Sequence, residues 1–151
     1  MNKSFEDCFS ELQADMVSIC LEYVKNRADK IFIYCSFESD IISSDYYYKI
    51  NGRIVERHKL NDAVLSSEKY DVSIERQRGV IKILNGNIGK IIEICKEYGR
   101  EMPTEMKLVY DVQKNSLKAT YKYELQYAND PVKTADDIAM EWFQQIQAEN
   151  S

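Results

Sequence analysis

The sequence predicts an α+β fold, an antiparallel five-stranded sheet packed with helices in the order α-β-β-β-α-β-β-α. Three observations carry this expectation. Apolar residues return every three or four positions near the start, in the middle and at the end of the chain, as the buried stripe of a helix does. Between those stretches they alternate with polar residues, as the two faces of a strand do. The connections are short, so adjacent strands should pair antiparallel.

In the first segment Phe5, Cys8, Phe9, Leu12, Met16, Ile19, Cys20 and Tyr23 fall on one stripe, and Glu6, Glu11, Asp15 and Glu22 fall off it. A helix is expected from about Ser4 to Asn26, with Ser4 and Asp7 placed as a capping box. The period then shortens to two. Ile31, Ile33, Cys35 and Phe37 alternate with Lys30, Phe32, Tyr34 and Ser36. Further alternating runs cover Ile42 to Ile50 and Arg53 to His58, and Asn51-Gly52 between them suits the two positive-φ positions of a type I′ hairpin. An irregular connection, roughly Asn61 to Val72, leads out of the third strand.

The helical period returns from Ser73 to Tyr98, with Ile81, Leu84, Ile88, Ile91, Cys95 and Tyr98 on one line. Gly79, Gly86 and Gly89 lie inside it, and a kink or break is expected near Asn85-Gly86. The run GNIG lacks the GxxxxGK[ST] pattern of a phosphate loop and no strand precedes it. Gly99 suits a left-handed cap, and Pro103 blocks resumption of the helix. Met106 to Val112 and Leu117 to Leu125 alternate around a Lys114-Asn115-Ser116 turn and form a second hairpin. Thr134 with Asp137 caps a last helix whose apolar stripe is Ile138, Trp142 and Ile146, and the tail after Gln147 should fray.

With 151 residues the chain suits one domain, ordered from about residue 4 to 147. It carries 44% hydrophobic and 30% charged residues, the profile of a globular protein. The first residues read as neither a signal peptide nor a membrane span, so a cytoplasmic location and no membrane partner are expected. Cys8, Cys20, Cys35 and Cys95 stand apart on apolar faces without metal-ligand spacing, as buried thiols of a reducing compartment do. The net charge of −5 argues against direct binding of nucleic acid and suits a basic partner.

A catalytic role finds little footing. The one histidine, His58, stands between Arg57 and Lys59 with no serine or cysteine motif beside it, and reads as an exposed strand-end residue. No HExxH or EF-hand spacing occurs. No enzyme activity, cofactor or metal is expected. Tyr46, Tyr48, Tyr110, Tyr121 and Tyr123 share strand parity with aliphatic residues and read as core. The opposite parity gathers Phe32, Tyr34, Asp45, Tyr47, Lys107, Val109 and Asp111, aromatic anchors mixed with charge. Such a face either binds a protein or lies under a helix or second subunit.

The IFIYCSFE strand, the DYYYKINGRIV hairpin, the long central helix and the run MPTEMKLVYDVQKNSLKATYKYE together resemble the YezG-like immunity (antitoxin) family, over roughly Phe5 to Tyr127. The resemblance implies a small acidic cytosolic protein that binds and neutralises the toxic domain of a cognate secreted toxin, often a nuclease. On that reading the expected partner contacts are Tyr34, Asp45, Tyr47, Asp111 and Glu124 on the polar sheet face, with Asp40 in the loop before the second strand. A homodimer is compatible with this. The same element order suits a secretion chaperone that holds an effector segment. A small ligand-binding domain or enzyme with a pocket between sheet and helices is the remaining alternative.

Overall fold

Ser4 sets where the first helix begins. In the computed structural model, which describes residues 3–150, its hydroxyl accepts the Asp7 amide proton at 3.1 Å and helix α1 spans Phe5–Tyr23. Lys25 and Asn26 both take positive φ, so the helix stops before the expected Asn26. Strands β1 (Lys30–Glu38), β2 (Ile41–Ile50) and β3 (Arg53–Glu56) follow. Asn51 and Gly52 sit at φ 51° and 79°, the left-handed pair that a tight hairpin with right-handed strand twist needs.

β3 is shorter than the alternating run. At Arg57 the chain enters a 3-10 helix, Arg57–Asp62, which carries Leu60 into full burial. A second short 3-10 helix, Ser66–Glu68, follows within the connection. Helix α2 spans Ile74–Glu97, capped by the Ser73 hydroxyl. It runs unbroken through Asn85-Gly86, against the expected kink. Each glycine costs about 1 kcal/mol relative to alanine, whereas full burial of a leucine or isoleucine contributes about 1.5–3 kcal/mol. Val80, Leu84, Ile88 and Ile91 are all fully buried along this helix, so packing decides. Gly99 then takes φ 66° and ends it.

Strands β4 (Glu105–Asp111) and β5 (Ser116–Lys122) form the second hairpin, and helix α3 spans Ala135–Glu149. Thr134 and Asp137 make the reciprocal capping box. The helix continues past Gln147 instead of fraying there, and Asn150 Nδ2 closes its end on the Ile146 carbonyl at 2.7 Å.

The strands form one antiparallel sheet in the order β3-β2-β1-β4-β5. Its two faces are covered by different helices. Ile31, Ile33, Cys35, Tyr46, Tyr48, Met106 and Leu108 project toward α1 and α2 and form the main core. Phe32, Tyr34 and Tyr47 project the other way and pack with Ala139, Trp142, Phe143 and Ile146 of α3. An amphipathic helix must bury its stripe, and the aromatic face of β1 and β2 is where this one does so. Among the described residues no helix is long and apolar enough to cross a membrane.

Candidate functional site

The sheet's second face was the sequence-based choice for partner contact, and α3 overturns that for its aromatic anchors. Tyr34 and Tyr47 are each 1% exposed. The Tyr47 ring lies tilted with its centroid 4.9 Å from that of Phe143, and its hydroxyl donates to the Ala139 carbonyl at 3.0 Å. Tyr34 packs against Trp142. Of the readings weighed for this face, cover by a helix is the one the molecule adopts.

The four acids do not gather either. Asp45 is half-buried and ties β2 to its surroundings, accepting from its neighbour Tyr46 N at 2.8 Å and pairing with Arg57. Burial raises its pKa, and the Arg57 charge opposes that rise. Asp40 sits exposed in the β1–β2 turn at φ 63°. Asp111 stands at the far end of β4 and accepts the Lys114 amide of the β4–β5 turn at 3.1 Å. Glu124 lies exposed just beyond β5, where its backbone carbonyl accepts from Thr104 Oγ1 at 2.6 Å. Tyr34, Asp45 and Tyr47 are neighbours on β1 and β2, with Tyr34 opposite Asp45 in register and the Tyr47 hydroxyl 3.3 Å from the Asp45 carboxylate. Both rings are buried under α3, however, and Asp40, Asp111 and Glu124 stand apart from them, so the six make no single exposed surface.

The groups best suited to chemistry are either bare or locked in structural roles. His58 is exposed in the 3-10 turn after β3, with Glu56 3.8 Å from its Nδ1. Cys20 and Cys35 are buried, and loss of solvent pushes both thiols far above their ordinary pKa, so they remain protonated near neutrality. The buried Glu38 carboxylate accepts three backbone amides, of Gln126, Tyr127 and Ala128, at 2.8, 3.2 and 3.0 Å. It clamps the segment leading from β5 to α3 onto the end of β1. Buried Glu105 has Lys107 Nζ at 3.7 Å and Lys122 Nζ at 3.8 Å.

The surface that collects unpaired recognition groups is at β5. Because β5 ends the strand order and pairs only with β4, its outer edge carries free backbone donors and acceptors. Leu117 and Tyr121 are 37% and 38% exposed on the face shared with α1. Just beyond the strand, Tyr123 and Leu125 are each 46% exposed. Next to them a groove of about 430 Å³ runs between the first turns of α1 and the strand, with Phe5 and Phe9 on one wall and Tyr121, Tyr123 and Pro103 on the other. Phe9 meets Tyr121 edge-on at 5.7 Å, Gln13 Nε2 donates to the Tyr121 hydroxyl at 2.8 Å, and the Arg100 guanidinium lies over the Phe5 ring. The groove is thus preshaped by its own contacts.

Sequence reading assigned Tyr121 and Tyr123 to the core by parity. Parity gives the side correctly for Tyr121, but the edge position leaves both rings partly open. The usable signal was topological: the last strand of a chain whose fourth strand returns beside the first is left without an outer neighbour. Acidity flanks this surface. α1 contains Glu6, Asp7, Glu11, Asp15 and Glu22 and no lysine or arginine. Neither the comparison with protein-family models nor that with curated proteins gives a match for this chain.

Proposed function

We propose that this protein is a cytosolic immunity protein, which binds the toxic domain of a cognate secreted toxin and neutralises it without transforming any substrate itself. The observation that carries this reading is the row of exposed apolar side chains, Leu117, Tyr121, Tyr123 and Leu125, beside a free strand edge and an aromatic groove. Exposed aromatic and aliphatic anchors placed together serve short-range protein recognition. The acids along α1, of which Glu6 lines the groove, attract a basic partner to that side of the molecule and orient its approach.

The resemblance of the hairpins and central helix to YezG-like antitoxins gives the class of partner, and the net charge of −5 suits a basic toxin such as a nuclease. The experiment is co-expression with the product of the adjacent toxin-like reading frame. Restored growth and a co-purifying complex are expected. Failure to bind that product, with growth still arrested, counts against the reading. A folded toxin domain bound by a folded protein separates this from a chaperone, which would hold an unfolded effector segment.

A further inference from the structure

We infer that the partner delivers an extended strand to the outer edge of β5, with apolar side chains toward the α1 groove alternating with acidic ones over Lys118 and Lys122. This deepens the partner-binding reading and rests on it for the partner's identity, though the edge itself can be tested without the toxin.

The Phe37 amide donates to the Thr104 carbonyl at 2.9 Å, so that carbonyl points toward β1. In a planar peptide the next amide, of Glu105, points the opposite way, toward β5. Backbone groups alternate along a strand, so Glu105, Lys107, Val109 and Asp111 bond toward β5. Their register partners Lys122, Thr120, Lys118 and Ser116 bond back toward β4. The amides and carbonyls of Leu117, Ala119 and Tyr121 therefore face outward, where no strand among the described residues pairs with them.

Side chains give the chemistry of the added strand. Leu117 and Tyr121 are exposed on the α1 side, and Tyr121 lines the groove, so an incoming residue there gains by being apolar. On the α3 side the edge displays Lys118, Thr120 and Lys122, all exposed. Lys118 makes no ion pair among the described residues, and Lys122 reaches only the buried Glu105 at 3.8 Å. A carboxylate directly across from either lysine is favourable, and a cation there is not. Two copies of β5 paired about Ala119 would instead bring their four lysines onto one face of the seam, which disfavours self-association.

The test measures amide exchange by NMR on the full chain, with capped heptapeptides of alternating glutamate and valine, or lysine and valine, as probes. The glutamate peptide should slow exchange at Leu117, Ala119 and Tyr121 and leave Lys118, Thr120 and Lys122 unchanged, binding about tenfold tighter than the lysine peptide. The double variant Lys118→Glu, Lys122→Glu should reverse that preference. Ala119→Pro should remove the effect, since that amide takes no part in the β4 ladder; if this variant does not fold, the charge reversal alone decides. Unchanged exchange at the three outward amides, equal response to both peptides, or slowing that needs only more protein overturns the inference. A toxin that co-purifies yet leaves those amides exchanging freely removes the strand mode and keeps the partner reading. Peptide binding without any toxin complex does the reverse.

Discussion

The Tyr47 hydroxyl donates to the Ala139 carbonyl, whereas the Tyr34 hydroxyl is equally buried and has no hydrogen-bond partner. Burial, followed by the neighbouring Glu105 charge, pushes the Tyr34 pKa up. The two phenols should therefore respond oppositely to loss of their oxygen. Tyr47→Phe removes a made bond and should lower stability by about 1 kcal/mol. Tyr34→Phe removes an unmet polar group and should leave stability unchanged or raise it by about 1 kcal/mol. Urea midpoints measure both, and a clear loss at Tyr34 would show that its hydroxyl is paired in solution. The cysteines give a second check at this scale. With their pKa values raised by burial, Cys20 and Cys35 stay protonated and inaccessible, so an aromatic disulfide reagent at pH 8 should label Cys8 first and reach Cys20 and Cys35 only on unfolding. Parity identified Tyr46 and Tyr48 as core because one face of a strand suffices to bury them. It could not rank Tyr34 or Tyr47, because their burial depends on α3, which lies far along the chain from both.

Local chemistry made several elements legible from few residues: Ser4 and Thr134 for the helix starts, Asn51-Gly52 for the hairpin, Gly99 for the helix stop. The end of β3 and the continuity of α2 were not legible, and both were settled by burial. Leu60 draws the end of β3 into a 3-10 turn, and the buried stripe of α2 overrides its glycines. The docking of α3 is the element-scale feature that redirects function, since it closes the face that charge and aromatics had marked. Its approach is set by Asp130, whose carboxylate accepts the Val132 and Lys133 amides at 2.8 and 3.0 Å and is held below its ordinary pKa by those bonds. A carboxylate with a depressed folded pKa stabilises above its unfolded value near 3.8, and that contribution is lost as pH falls through the folded pKa. Acidification below pH 3.8 should therefore loosen the turn that leads into α3. Trp142, the only tryptophan, lies in the α3 interface and reports this by fluorescence. Asp130→Asn should flatten that part of the acid response, and an identical profile in the variant would show that Asp130 does not control it.

At the scale of the whole molecule, the acidic balance noted in the sequence is unevenly spread. α1 and α3 contain acids and no lysine or arginine, and they lie on opposite faces of the sheet, while the β5 edge between them is cationic. Association with a basic partner along the α1 side should slow as salt rises through the range where the screening length falls from about 10 Å to about 3 Å. The element order was readable because each hairpin and helix signals itself locally. The open β5 surface was not, because exposure at an edge depends on which strand has no neighbour, a property of the whole sheet and not of any segment. Titration calorimetry with the basic toxin domain proposed as the partner tests the binding role most directly. A saturable one-to-one complex is expected, weakened at least tenfold by Tyr123→Ser with Leu125→Ser at an unchanged melting temperature, as loss of well-placed anchors produces. No heat of binding, or a complex indifferent to both substitutions, would contradict it.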